Sequence, residues 1–444
     1  MDKAGSRTQD SADMVASISS LDLLLSGMRD RYVCIAQEKD SYAQFATANL
    51  PAEHMVLVSD AGEDFSDDAV IQSAMLSDIL LRKGMNAFLP SCFTSESINT
   101  WAQEHGVTVI APDPLLQEQL EEKLFFNDVL HREAIPVPES YVLRTNTDVR
   151  ESLPFPGVLQ VPKSWGGLGT YFVDSYEQLQ GIFRQEKPVF PLLYRAFVQG
   201  HALGVTLLIG GSKTAFSSVR SQLFVPASDG PPLFLGTQWV MRRSLPMKAL
   251  QQLEQALEQL AGALRALGFR GMANVDCVLT EDEAFLIECN PRQSLCTCQL
   301  AQHPELLHGL DAMEEYIACF TRGDISTHAP SIPDTDFEGC VLDLDRYGRV
   351  FAGRRIAQPW SVGIYDPMSE SEGPSSLRLA DLRQEDALIV HTVKVGTILD
   401  ATTNLGVVLL AQPVADTGSG GILLKKEGRC LLDFVSQLIE RSLA

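Results

Sequence analysis

Residues 274–292 read NVDCVLTEDEAFLIECNPR. Two apolar, strand-forming runs, 274–279 and 284–290, flank the polar stretch Thr280–Glu283, which is the pattern of a β-hairpin. With the turn centred on Asp282, facing positions sum to 564, so Asp276 lies opposite Glu288 and Asn274 opposite Asn290. Alternate side chains share a strand face, which gathers Asn274, Asp276, Glu288 and Asn290 on one side. Val275, Cys277, Phe285, Ile287 and Cys289 then make the core side. Two carboxylates directly opposed across strands repel, and destabilise the pair unless a cation lies between them. Two carboxylates and an amide, all oxygen donors, suit Mg²⁺, which keeps positions for water and phosphate oxygens. A solvated polar face on an edge hairpin is the other reading of the same residues.

Working outward, Arg292 stands just past the carboxylates, where a guanidinium can grip a phosphate oxygen bidentately. Upstream, helix signals over 115–132 include Lys123, and the prolines of IPVPES (135–140) stop that helix. PGVLQVPKSWGGLGTYFV (156–173) and LLYRAFV (192–198) are strand-like. Between the strands of the first lies Gly166-Gly167-Leu168-Gly169-Thr170; its glycines permit positive φ and let backbone N–H groups approach phosphate, although a plain hairpin turn fits as well. A long helix over roughly 247–267 leads into the hairpin.

At the N-terminal side, residues 1–15 are polar and acidic and predict a frayed tail. Apolar positions recur at helical spacing from Met14 to Met28, followed by the strand RYVCIAQ (31–37), a helical stretch near 68–84, NAFLPS (86–91), a helix at SESINTWAQEHG, and VTVIAPDP (107–114). Such alternation implies parallel strands with both faces covered. No GxGxxG follows the first strand, which gives dinucleotide binding little support. From about 330 the texture turns to short strands, with SESEGPSS (369–376) as a surface loop and CLLDFVSQLIERSL as a closing helix.

The 444 residues suggest about three domains. With 45% hydrophobic and 21% charged residues, the chain can bury large cores and is not disordered as a whole. A net charge of −22 argues against a nucleic-acid backbone or an anionic membrane as partner. No apolar run approaches the roughly 20 residues of a membrane span, and no secretory pattern opens the chain, so a cytoplasmic protein with reduced cysteines is expected. Cys289, Cys296 and Cys298 lack a second pair at zinc-site spacing and read as buried thiols. Arg220 and Arg242-Arg243 could grip an anion, although solvated surface charge is the commoner explanation for such residues.

The run Ile287-Glu288-Cys289-Asn290-Pro291-Arg292, with Asp276 a dozen positions upstream, resembles the metal-binding signature of the ATP-grasp superfamily. Lys123 before IPVPES, the glycine loop and YRAFVQG (194–200) resemble further segments of that family, in the same order. The resemblance implies an α/β protein: a pre-ATP-grasp domain over 16–115, an ATP-grasp domain of two α+β halves over 116–328, and a small β-rich domain over 329–444. It implies ATP as nucleotide and Mg²⁺, two ions with Mn²⁺ able to substitute, held by Asp276, Glu288 and Asn290. Lys123 and Arg292 would serve catalysis; Lys123, Gln160, Lys163, Gly166, Gly167, Gly169, Thr170, Arg195, Phe197 and Val198 would line the nucleotide. The activity implied is amide formation between a small-molecule or peptide carboxylate and an amine through an acyl phosphate, as in natural-product peptide ligases of the pheganomycin type, with a homodimer as the assembly. Two departures stand out. Gln160 occupies a strand position where the family usually has Lys, and Arg195 a hinge position where it usually has an acid. Lys123 and Arg292 are then the expected phosphate cations, with Lys163 beginning the loop. A biotin carboxylase-like carboxylation and a nucleotide-binding module of reduced activity are the alternative readings.

Overall fold

The computed structural model describes residues 13–59, 65–164, 168–225, 233–368, 373–391, 393–400, 402–418 and 421–444. The tail through residue 12, the loop glycines Gly166 and Gly167, and residues 369–372 of the expected surface loop lie outside the described residues.

The N-terminal region builds a five-stranded parallel sheet in the order Met55–Val58, Tyr32–Gln37, Val15–Ile18, Ala87–Phe88, Thr108–Val109. Met14–Met28 is not one helix: Val15–Ile18 is the central strand, and a short helix, Leu21–Leu25, follows, capped by Ser20. A central parallel strand is buried on both faces, so its apolar residues do not alternate and merge with the next helix's stripe. The strand order reverses between Val15–Ile18 and Ala87–Phe88, opening a crevice at their carboxyl ends.

Next comes a four-stranded antiparallel sheet in the order Ser140–Leu143, Leu192–Ala196, Gly157–Gln160, Thr170–Val173, with the helix Tyr176–Gln185 packed on it. The remaining large sheet has ten strands, all antiparallel, and carries the hairpin Gly271–Leu279 and Ala284–Asn290 at one edge. The helix Met247–Ala266 covers its back. Leu250, Leu253, Leu257, Leu260 and Leu264 form the buried stripe of that helix, each worth roughly 1.5–3 kcal/mol of burial. Strand Leu233–Trp239 pairs with Cys340–Asp343, so the C-terminal strands continue this sheet. At that seam Gly236 has φ +138°, and a Cβ there would lie 2.0 Å from the Val341 carbonyl oxygen. Among the described residues no helix is long and apolar enough to cross a membrane.

Candidate active site

The hairpin register pairs Asp276 with Glu288 and Asn274 with Asn290, as the sum of 564 requires. Beyond Asp276 the register shifts by one, so Cys277 faces Leu286 and Leu279 faces Ala284. The bulge changes the core side: Leu286 is buried, whereas Phe285 and Ile287, expected there, are only partly buried. Val275, Cys277 and Cys289 do enter the core beneath the long helix. One face of the hairpin is therefore anchored, and the other carries the carboxylates.

Burial, with the opposed Glu288 adding to it, pushes the Asp276 carboxyl up to about 7, against the pull of Arg220 and Lys123. A cation placed between the two acids would relieve this repulsion, and the all-oxygen donor set fits Mg²⁺. Among the described residues no group of three or more His, Cys, Asp and Glu gathers to hold a metal. The hairpin offers two carboxylates plus the Asn290 amide, leaving other positions for phosphate and water. Asn274, on the same face, is committed elsewhere. Its Oδ1 accepts from Thr206 (2.6 Å) and Arg220 (3.2 Å), and its Nδ2 donates to the Arg292 carbonyl (2.6 Å).

Lys123 reaches this face from the first turn of the helix Lys123–Arg132, which Glu122 caps by accepting from the Phe125 N–H. The helix predicted over 115–132 is in fact two, Pro114–Glu121 and Lys123–Arg132, and the break at Glu122 places Lys123 at an N-terminus. Lys123 is 3% exposed; its Nζ donates to Ser164 O (3.0 Å) and lies 3.4 Å from Glu288 Oε1. One turn on, Asn127 is also buried.

Gln160 is buried and accepts from Arg195 Nη1 at 3.0 Å, while Arg195 Nη2 donates to Asn127 Oδ1 at 3.3 Å. Burial pulls the Arg195 guanidinium down to about 10, against the field of Glu288. Its Nε has no hydrogen-bond partner. The charge missing from position 160 is thus supplied by the neighbouring strand, where Val158 pairs with Arg195. Lys163 points elsewhere: it is exposed and pairs with Glu118 at 2.5 Å. Arg292 bonds Glu121 (2.5 Å) and Asn290 Oδ1 (3.4 Å), beside the Phe93 ring.

Gly169, at φ +65°, and Thr170 close the glycine loop; Thr170 pairs with Gln160. At the hinge, the Phe197 N–H is bonded to Pro156 O, its ring rests on Phe172, and Val198 is partly buried. Arg220 is no surface residue: it is 4% exposed and bonded to Thr206 and Asn274. Arg242 and Arg243 are paired with Glu254 and with Asp334 and Asp336, away from the hairpin. All nine cysteines are unpaired, and Cys289, Cys296 and Cys298 are buried. Sequence reasoning passed over Asn127, Ser164 and Glu121. Only Asn127 carried a signal, four residues after Lys123 on one helical face.

Residues 120–294 match the family model described as an ATP-grasp domain. The carbamoyl phosphate synthase large chain, C-terminal section, of Methanopyrus kandleri is 25% identical over 211 residues, 45% of this chain and 38% of that protein. The chain spans well under half the length of the curated relatives it matches. Among solved structures, the biotin carboxylase domain dimer of Hydrogenobacter thermophilus 2-oxoglutarate carboxylase, held with MgADP, ADP and bicarbonate, superposes with TM-score 0.58 at 12% identity, covering 90% of this chain and 86% of that one. N5-carboxyaminoimidazole ribonucleotide synthetase of Thermus thermophilus gives 0.55 at 14% identity, with 96% and 98% covered. The fold is the mixed α/β ATP-grasp fold, and residues 120–294 carry the match to the ATP-grasp domain.

Proposed function

We propose that this chain is an ATP-dependent, ADP-forming ligase that joins a carboxylate to an amine. The observation that carries this reading is the Asp276–Glu288 pair, opposed across the hairpin with the buried Lys123 ammonium 3.4 Å from Glu288. Asp276, Glu288 and Asn290 would hold Mg²⁺, as two ions, with Mn²⁺ as a substitute. The metal's contribution is to neutralise phosphate charge. Lys123 and Arg195 offer buried positive charge to the nucleotide phosphates, and Gln160 orients Arg195. Gly169 and Thr170, at the end of the glycine loop, would border those phosphates. Because the Phe197 N–H is already taken, adenine recognition falls to the Phe197 carbonyl and to Val198. The substrate carboxylate oxygen attacks the γ-phosphorus and ADP leaves; the amine nitrogen then attacks the acyl carbon, and phosphate leaves. Arg292, loosely held on Asn290, would steady the acyl phosphate.

The narrower assignment to small-molecule or peptide substrates in natural-product biosynthesis is supported by the motif resemblance alone; a homodimer is supported by the related biotin carboxylase domain dimer, and a cytoplasmic setting by composition. A second reading, with bicarbonate as the acid, is favoured by the related domain held with MgADP and bicarbonate. ADP release from Mg-ATP, screened over carboxylic acids with and without amines and over bicarbonate, with mass detection of products, separates the two. Release that needs both acid and amine supports the ligase, release with bicarbonate alone supports the carboxylase, and release under neither condition refutes both.

A further inference from the structure

At the carboxyl ends of the parallel strands lies a cavity of about 390 Å³ that the nucleotide chemistry does not use. It sits at the crevice where the strand order reverses, the usual ligand position in open parallel sheets. Its walls come from segments remote in sequence: Ser17 and Asp22, Gln37 and Asp40, Gln293, and Lys394. Gln293 follows Arg292 directly and is three residues past Asn290, so the cavity wall begins within roughly 10 Å of chain from the carboxylate hairpin. A molecule held here borders the reacting end of that site.

The wall is polar and charged. The Ser17 hydroxyl is 1% exposed and has no hydrogen-bond partner, a buried polar group that a ligand atom would satisfy. Asp40 stands at the N-cap of the helix Ser41–Asn49 but makes no capping bond to it. The exposed Lys394 brings a positive charge to the same wall and acts on Asp40. Asp22 accepts from Gln293 Nε2 at 2.7 Å, which ties the cavity to the segment that carries Arg292. Burial holds the Asp22 carboxyl up to about 7 despite that bond. A cationic ligand would favour its charged form. Two acids and one ammonium, in a space suited to a small molecule, match a ligand that carries both an ammonium and a carboxylate.

We infer that this cavity is the seat of the amine substrate, an amino-acid-like zwitterion whose ammonium faces Asp22 and Asp40 and whose carboxylate faces Lys394. The amine role rests on the ligase reading given above; the binding chemistry does not. Calorimetric titration of the full chain, without nucleotide or metal, with each standard L-amino acid tests it. At least one should bind saturably at one site, and its decarboxylated amine and deaminated acid should each bind at least about tenfold more weakly, the worth of one charge-assisted bond. Asp22→Asn and the surface variant Lys394→Gln should each weaken the amino acid at least about tenfold. Lys394→Gln keeps the test sound where the buried Asp22 variant folds poorly. Absence of saturable binding, or a folded Lys394→Gln chain that binds as tightly as the parent, overturns the inference. Calorimetry needs no turnover, so a chain that binds the amino acid here yet releases no ADP refutes only the ligase reading.

Discussion

Replacing Lys123 by Met removes the buried ammonium on which the phosphate end of the proposed site depends. In the free protein the change deletes the bonds to Ser164 and leaves Glu288 without its partner at 3.4 Å. Breaking a fully buried ion pair costs about 3–5 kcal/mol, but Glu288 keeps 21% of its side chain in water, which lowers the penalty. The expected loss in stability is about 2 kcal/mol, read from urea denaturation. The loss in nucleotide affinity should be larger, because a cation acting on phosphate in a desolvated site has no water to replace it. We expect about 10²-fold weaker Mg-ADP binding by calorimetry, equivalent to about 2.7 kcal/mol. Lys163→Met is the control. Its pair with Glu118 is exposed on both sides, so the urea midpoint should stay near the parent's and affinity should change by less than about tenfold. A larger affinity loss at 163 than at 123, or unchanged affinity in a folded Lys123→Met chain, would refute the reasoning.

Glu288→Gln should abolish ADP release by a chain that still folds, with a melting temperature near the parent's, because relief of repulsion with Asp276 offsets the weakened Lys123 pair; a folded variant with near-parental turnover would remove Glu288 from the metal set. Gly169→Ala puts a Cβ 2.8 Å from Val161 Cγ2 at φ +65°, so we expect at least about 1–2 kcal/mol of destabilisation in urea melts, together with weaker Mg-ADP binding. His391 is buried beside the Trp360 carbonyl, and burial pulls its pKa to about 4. The unfolded imidazole takes a proton below about pH 6.5 and the folded one does not, so its stabilisation is complete above that pH and is lost as pH falls towards 4. The loss is on the order of 3 kcal/mol, and His391→Gln should flatten the pH dependence of urea midpoints across that range.

The carboxylate hairpin could be read from residues 274–292 because strand periodicity and turn composition are local properties, and two opposed acids make a signal that needs no neighbour. The alternating N-terminal region and the long helix were legible for the same reason: Met247–Ala266 lies within a residue of its expected bounds. Where a property depended on packing, the reading slipped. The bulge after Asp276 moved Leu286 into the core in place of Phe285 and Ile287, since one unpaired residue reverses the parity of everything beyond it. The helical spacing over Met14–Met28 hides the strand Val15–Ile18, because a strand buried on both faces loses its alternation.

Sequence by itself thus determined the resemblance carried by the hairpin motif, the parallel N-terminal layer, and the acids that face one another, all of which rest on short-range pattern. Only the tertiary structure decided which cations serve those acids. Lys123 and Lys163 are equal in composition, yet a helix break at Glu122 buries one beside Glu288 while the other pairs with Glu118 at the surface. Gln160 and Arg195 are 35 residues apart, and strand pairing turns them into a single buried unit that supplies the charge position 160 lacks. The polar cavity likewise needed residues 17, 40, 293 and 394 brought to one place. Charge placement depends on distance and desolvation, and those are set by long-range packing that no local stretch encodes.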